Sequence, residues 1–524
     1  MHALSLILVV LYYIIVVMTV VHVVMDNRQP AKTMAWALVI WFVPVVGIVF
    51  YLFFGRNTRK ERLVSQRSLD QLSKRSMLEF VEQQNLCLPD EHKPVIDLFI
   101  NQSFSLPFKD SEVRLYTSGY EFFPALLREI ARARNHIHID IYIFEDDALG
   151  MLISDALIAK ARQGVEVRII YDDVGCWNVS HQFFERMREE GIEVVPFLPV
   201  RFPSFTSKVN YRNHRKLIVI DGMTGFIGGM NFAMRYVNGK RRETRSGKKK
   251  PDRQWRDTMV QVSGGGVYSL QRTFLIDWYF VDRTLLSDRR YYPNNVQSSM
   301  LNAQSIMHNA QLAAAQDDAG NNCAFLRPGG KRPSAERSIE HCALLQTVTS
   351  SPVSPNSEIM QGYVRIILAA KHYIYIETPY FLPTEPVLFA LKTASGAGID
   401  VRILVPRDSD AWFTEWASRS FLRDMVEAGV KVSLYTAGFL HSKLMVSDDS
   451  ICTCGSTNVD FRSFENNFEA NAFFYGEGVA MSMKQMFLAD ECHSVPLNEL
   501  PDRLHPRFSV RLWESLVRLL SPLM

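Results

Sequence analysis

Two long apolar runs open the chain. Ala3 to Met25 is apolar except for Ser5, Thr19 and His22, and Thr33 to Phe54 is uncharged over 22 residues. A bilayer core takes roughly 20 apolar residues to cross as a helix, so two membrane-spanning helices are predicted, over about 3–25 and 33–54. Only Asp26 to Lys32 connects them, which makes a hairpin with both outer ends on one side of the membrane. Trp36, Trp41, Tyr51, Phe53 and Phe54 are placed to act as interfacial aromatics, and Pro44 and Gly47 are tolerated within a span. A cleaved signal peptide is disfavoured: no Lys or Arg precedes the first run, the run is too long, and no small-residue cleavage site follows. Arg56, Arg59, Lys60 and Arg62 follow the second run, against Arg28 and Lys32 in the loop, so the positive-inside rule places the rest of the chain in the cytoplasm. His22, in mid-span, reads as neutral and packed against the partner helix.

Beyond the hairpin the pattern changes to short β-branched runs separated by amphipathic stretches, and it occurs twice, about 230 residues apart. The first copy reads HIHIDIYIFEDD, GVEVRIIYDD, EEGIEVVPF and YRNHRKLIVID. The second reads YIYIETPYFLP, GIDVRILVPRD, EAGVKVSLY and GFLHSKLMVSD. Helical stretches, Leu149 to Arg162 and Pro386 to Ala394, lie between the first two runs of each copy. Strands alternating with helices imply βαβ units, hence a mostly parallel sheet covered by helices. The expected organisation is a hairpin (1–55), a juxtamembrane linker (56–100), a first α/β repeat (101–286), an inter-repeat linker (287–340) and a second repeat (341–524).

Composition adds little until it is read locally. With 47% hydrophobic and 22% charged residues and a mean hydropathy of -0.03, the 524-residue chain is neither a multi-span transporter nor disordered. A formal charge of +3 does not mark a nucleic-acid binder. Lys240 to Arg253 nevertheless holds eight basic and two acidic residues, a loop suited to anionic lipid headgroups. The seven cysteines have no paired C-x-x-C spacing, which points to a reducing, cytosol-facing bulk, and no metal or other cofactor is expected.

Both repeats contain His-x-Lys-x4-Asp: His214, Lys216 and Asp221, then His441, Lys443 and Asp448. Chance gives roughly 0.03 such matches in a chain of this size, so two are a signal. Seven residues after each Asp stands Gly228 or Gly455, then Gly229 or Ser456, then Asn231 or Asn458. His and Lys two apart on a strand share a face, which sets an imidazole beside a cation suited to a phosphate oxygen. Asn231 and Asn458 are candidate donors to the same phosphorus centre. If the copies pack about a pseudo-twofold axis, two imidazoles converge on one phosphate, one for in-line attack and one for leaving-group protonation. Each imidazole also needs an orienting carboxylate. Glu469 lies 28 residues after His441, and Asp257 lies 43 after His214, the polybasic loop supplying about the 15 extra residues. These two are preferred over Asp221 and Asp448 as orienters.

These residues, with the hairpin ending PVVGIVFYLFFGR, the YIFEDD and TPYFLP strands, the GGMN and GSTN tails and the closing RLLSPLM, resemble the phospholipase D superfamily, and within it the two-motif bacterial cardiolipin synthases. The resemblance covers nearly the whole chain. It implies a duplicated α/β/α fold at the bacterial inner membrane and a metal-independent transfer of phosphatidyl from one phosphatidylglycerol to another, giving cardiolipin and glycerol. By analogy His214 attacks phosphorus to form a phosphatidyl-histidine, and His441 protonates the departing glycerol and then deprotonates the incoming hydroxyl. Lys216, Lys443, Asn231 and Asn458 would stabilise charge on the equatorial oxygens. A phospholipase D hydrolase or a phosphatidylserine synthase would use the same motifs with another acceptor. A nuclease fits a membrane hairpin poorly, and a catalytically dead scaffold would not need all six His, Lys and Asn residues.

Overall fold

The structure, a computed structural model, describes residues 2–25, 30–51, 55, 88–200, 210–239, 254–293, 341–354, 356–519 and 521. The polybasic loop 240–253, most of the expected inter-repeat linker and the basic residues after the second apolar run lie outside the described residues.

The N-terminal helices α1 (His2–Met25), α2 (Pro30–Phe42) and α3 (Pro44–Phe50) pack around Val16, Val23, Ile40 and Tyr51. The second apolar run is not one helix. It breaks at Val43, whose φ of -134° is not helical, because Pro44 lacks an N–H and disfavours the helical conformation at the residue before it. The two expected spans are not shown: among the described residues no helix is registered as long and apolar enough to cross a membrane. His22 does meet the partner segment, its ring 6.4 Å from that of Tyr51.

The first half of the body contributes β1 (Phe108–Tyr116), β2 (His136–Ile141), β3 (Glu166–Asp172), β4 (Glu193–Phe197), β5 (Lys216–Ile220), β6 (Thr224–Gly228), β7 (Trp255–Arg256) and β8 (Met259–Ser263). The second contributes β9 (His341–Ser350), β10 (Tyr373–Glu377), β11 (Phe381–Leu382), β12 (Asp400–Pro406), β13 (Lys431–Tyr435), β14 (Phe439–Leu440), β15 (Leu444–Ser447), β16 (Ile451–Gly455), β17 (Val459–Asp460), β18 (Glu469–Tyr475) and β19 (Ser494–Pro496). Fifteen of them build one sheet in the order β19-β13-β12-β10-β15-β16-β18-β9-β1-β8-β6-β5-β2-β3-β4, and the other four pair as β11-β17 and β14-β7. Read outward from the β9–β1 pair, the two halves run in matching order, which is the pseudo-twofold expected of a duplication.

The expected mostly parallel sheet is corrected. Only β2–β3–β4 and β10–β12–β13 are parallel, each joined by helical crossovers, and the centre is antiparallel. The reason is local: β5–β6 and β15–β16 are tight hairpins whose turns hold Asp221 at φ 55° and Asp448 at φ 53°. Asp and Asn tolerate this left-handed region better than most residues.

Helices Ala148–Ala161 and Glu385–Gly396 occupy the two helical stretches expected between paired runs. Asp147 caps the first, accepting from the N–H groups of Leu149 and Gly150 at 3.1 and 2.9 Å. Helices Val267–Asp282 and Glu477–Glu491 cover the sheet's other face, burying Phe274, Trp278, Met483 and Phe487 in a core shared by both halves. Helix Lys93–Ser103, within the stretch read as a juxtamembrane linker, buries Val95, Ile96 and Phe99 and so belongs to the body.

Candidate active site

The two histidines stand at the starts of equivalent strands: His214 precedes β5 and His441 precedes β15. Each is tied to the other half of the molecule. The His214 N–H donates to Phe468 O at 2.9 Å, and the Phe468 N–H donates to Arg212 O at 2.9 Å. Correspondingly, β14 pairs in parallel with β7, and the His441 N–H donates to Arg256 O at 2.7 Å. These bridges bring the motifs together across the pseudo-twofold.

The carboxylates follow the same crossed path. His214 Nδ1 lies 3.0 and 3.1 Å from Glu469 Oε1 and Oε2, and His441 Nδ1 lies 2.6 Å from Asp257 Oδ2. Counting within each repeat had set Glu469 beside His441 and Asp257 beside His214. The structure exchanges the partners, because Phe468 leads directly into Glu469 and Arg256 directly into Asp257.

Both imidazoles are nearly enclosed, with 12% and 8% of their side-chain surface exposed. Burial lowers His214 to about 4, with Glu469 acting against it and Lys216 with it. Burial and then Lys443 lower His441 to about 4 against the pull of Asp257. Burial alone would raise the two carboxylates, but Lys443 and His441 hold Asp257 below its ordinary value, and His214 and Lys216 do the same for Glu469. The consistent state is neutral imidazole and ionised carboxylate: Nδ1–H donates to the carboxylate, leaving the Nε2 lone pair for chemistry.

Lys216 and Lys443 each fold back to donate to the carbonyl of their own histidine, Lys216 at 2.6 Å. Lys443 Nζ also lies 2.9 Å from His441 Nδ1, close enough for its charge to bear on the ring. Burial lowers both lysines, Lys216 to about 7, and each feels charges from both halves, Lys216 that of Lys443 among them. An incoming phosphodiester would favour the charged form of both.

Asp221 and Asp448, candidate catalytic residues as the last members of the repeated motifs, are engaged with backbone groups away from the imidazoles. They sit at the far ends of β5 and β15. Asp221 accepts from the N–H groups of Arg134, Asn135 and His136 at 2.7–3.0 Å, and Asp448 from those of Lys371, His372 and Tyr373 at 2.7–2.9 Å. Each thereby fastens the entry of a neighbouring strand.

Asn231 and Asn458 are buried. Asn231 donates to Tyr236 Oη at 2.7 Å and accepts from the Ile143 N–H at 3.0 Å, so its donor is engaged with Tyr236, whose ring lies 5.9 Å from that of His441. Asn458 Oδ1 has no hydrogen-bond partner among the described residues.

Further residues complete the site, some of them inside the repeated landmarks but with no role assigned from sequence. The Tyr142 ring lies 4.9 Å from His214 and 5.0 Å below Lys216 Nζ, and Trp255 lies 5.0 Å from His441. Glu469 is further held by Ser456 Oγ at 2.5 Å and Asn467 Nδ2 at 3.2 Å. At the equivalent place Gly229 leaves room for Asp257, since an added Cβ would fall 2.1 Å from Asp257 Oδ1. The two tails GGMN and GSTN thus differ at the residue touching each carboxylate. Among the described residues no group of three His, Cys, Asp or Glu side chains is placed to hold a metal ion.

Residues 126–246 and 363–490 match the family described as cardiolipin synthase, PLD-like domain, and residues 14–56 match phospholipase D-nuclease N-terminal. Over 505 residues the chain is 35% identical to a cardiolipin synthase of Geobacillus sp. (strain WCH70), covering 95% of this chain and 90% of that protein. The chain belongs to the cardiolipin synthase family. The major cardiolipin synthase of Bacillus subtilis (strain 168), another relative, is 34% identical over 533 residues with 100% of both chains covered. In fold the family member is like the crystal structure of phosphatidylserine synthase from Haemophilus influenzae Rd KW20, with a TM-score of 0.55, 16% identity, and coverage of 83% of this chain and 100% of that one.

Proposed function

We propose that this protein is a cardiolipin synthase that moves a phosphatidyl group from one phosphatidylglycerol to another through a covalent phosphatidyl-histidine. The observation that carries the mechanism is the crossed pair of imidazole–carboxylate contacts, His214–Glu469 and His441–Asp257, in one buried site with two lysines. His214 Nε2 attacks phosphorus: a P–N bond forms, the P–O bond to glycerol breaks, and His441 gives the proton to the leaving oxygen. His441 then takes the proton of the second phosphatidylglycerol's hydroxyl, whose oxygen forms the new P–O bond as the P–N bond breaks. The phosphodiester's negative charge favours the protonated form of the imidazole that acts as acid. Glu469 and Asp257 stabilise positive charge as each ring acquires it, and Lys216 and Lys443 neutralise the equatorial oxygens. The assignment of His214 as nucleophile rests on the family resemblance.

The same reading places the hairpin in a bacterial inner membrane with the body on the cytoplasmic side. α1 has 24 residues without Asp, Glu, Lys or Arg. At 1.5 Å per residue it reaches about 36 Å, enough for a hydrocarbon core of about 30 Å. Ile7, Tyr13, Met18 and Trp41 are exposed on the hairpin. Uncovered apolar side chains of this kind mark a surface that meets a membrane or a partner.

The test is to incubate the purified full-length protein with phosphatidylglycerol in detergent and to follow cardiolipin and glycerol. Both products, abolished by His214→Ala, are expected. Phosphatidic acid as the sole lipid product would replace the synthase reading with hydrolysis, and turnover unaffected by His214→Ala would remove the mechanism.

A further inference from the structure

The C-terminal helix Phe508–Arg518 is amphipathic in an unusual sense, because its apolar side faces away from the protein. Its inward side is held by Glu514, which is buried and pairs with Arg423 at 2.5 Å, by buried Val517, and by Arg518, which pairs with Asp424 at 2.6 Å. At 100° per residue, Phe508, Leu512, Leu516 and Leu519 fall on the opposite side, with Trp513 at its edge. All five are exposed, Phe508 by 80% and Leu519 by 75%. Trp412 and Phe413, at the start of helix Trp412–Glu427, extend the patch: Trp412 lies 6.2 Å from Trp513 and 4.4 Å from Phe413, and both are more than half exposed. A contiguous apolar surface on a folded body marks a docking site.

Positive charge borders it. Arg507, the residue that precedes the helix, and Arg511 in its first turn are both exposed, and among the described residues neither forms an ion pair. Beside the patch a shallow cleft is lined by Pro379, Tyr380, Arg407, Ser409, Arg419 and Arg503. Within the cleft Arg419 pairs with Glu415 at 2.5 Å and Arg503 with Asp408 at 3.9 Å, so the charge offered to an anionic surface is chiefly that of Arg507 and Arg511. An apolar face rimmed with arginine matches the interface of an anionic bilayer, where rings and leucines enter the acyl boundary and guanidinium groups meet phosphates. The patch also connects to the chemistry. Asp410, two residues before Trp412, accepts from Tyr380 Oη at 2.6 Å, and its charge acts on His441 and Lys443.

We propose that the outer face of helix Phe508–Arg518, together with Trp412 and Phe413, docks the body onto an anionic phospholipid surface and holds the mouth of the site against its lipid substrate. The proposal rests on the lipid reading above for the identity of the surface, but its location in the fold stands on the exposed face alone.

The experiment is photo-crosslinking of the full-length protein in vesicles of phosphatidylglycerol and phosphatidylethanolamine. p-Benzoylphenylalanine is placed in turn at Leu512, at Leu516 and, as a control on another exposed helix, at Glu189. Expected is a phospholipid adduct at least about ten-fold stronger at 512 and 516 than at 189. A crosslink mapping to residues 2–51 would show the chain's own hairpin on the patch, a crosslinked dimer would show a second copy, and no adduct would show solvent; each overturns the proposal. Adducts that form while no cardiolipin is made would sink the synthase reading and leave the docking surface standing. Charge reversal by Arg507→Glu with Arg511→Glu should lower the adduct by about ten-fold on anionic vesicles. An unchanged adduct would refute the charge complementarity.

Discussion

The crossed pairing makes Glu469→Gln the most informative single change. Glu469 is fully buried and faces three donors: His214 Nδ1, Ser456 Oγ and Asn467 Nδ2. Glutamine is nearly isosteric. Its remaining oxygen can still accept from His214 and Asn467 while the Ser456 hydroxyl rotates to accept from the new amide, so the fold should tolerate it. What disappears is one negative charge beside an imidazole that becomes positive when it bonds to phosphorus. At about 4 Å between charge centres and an effective dielectric of about 20, that attraction is about 4 kcal/mol. It corresponds to a fall of about 10^3-fold in kcat/KM with little change in Tm. Imidazole NMR of the ¹⁵N-histidine-labelled protein in detergent micelles, assigned with His214→Gln and His441→Gln, tests the pairing itself. Because the Glu469 charge raises His214, its loss should move His214 further below about 4 and leave His441 in place. Asp257→Asn should do the reverse. A shift confined to His441 in Glu469→Gln would refute the crossed arrangement, and unchanged kcat/KM would refute the electrostatic role.

Three other outcomes follow from the same geometry. Gly229→Ala sets a Cβ 2.1 Å from Asp257 Oδ1, so it should displace the carboxylate from His441 and cut activity by at least about 100-fold, whereas Ser456→Ala removes one hydrogen bond to Glu469 and should cost about ten-fold; steady-state kinetics of the two variants ranks them, and equal losses would contradict the asymmetry. Asp221→Ala and Asp448→Ala each strip three backbone N–H groups of their acceptor and place alanine in a left-handed turn, so each should lower stability by about 2–3 kcal/mol, while specific activity of the folded fraction below Tm stays within about three-fold; a loss of turnover without a loss of Tm would return these residues to the catalytic set. Finally, His214 and His441 are held at about 4 and His138 at about 3, all by burial, against 6.5 for an open histidine. The unfolded chain therefore takes up these protons first, so stability is full above pH 6.5 and is lost as pH falls from there toward 4, by about 3 kcal/mol for each histidine. Thermal melts across that window should show Tm falling with pH, and a flat Tm would exclude the burial argument.

Much of this was legible in one dimension because it is local. Short β-branched runs mark β2, β3, β10 and β12, and polar residues repeated at fixed offsets mark His214, Lys216, His441 and Lys443 as chemistry, since packing alone does not demand a lysine in the same strand position twice. The apolar length of α1 also depends on near neighbours in sequence, whereas Pro44, read as tolerated within a span, breaks the second run. What the sequence by itself determined was therefore the duplication, the repeated His-Lys motifs and the resemblance to a family that the whole-chain relatives then established.

Only the tertiary structure decided which partners meet. The exchange of Glu469 and Asp257 between histidines depends on Phe468 pairing beside Arg212 and β14 pairing beside β7, contacts between residues more than 180 positions apart that no spacing rule within a repeat records. The same holds for Asp221 and Asp448: sequence distance places them with the motif, but strand direction carries them to the opposite end of β5 and β15. It holds as well for helix Phe508–Arg518, whose pattern announces an apolar face without saying that Glu514, locked to Arg423, turns that face outward. Periodicity specifies how a segment divides its surface, and the choice of which side is buried belongs to the elements that arrive to cover it.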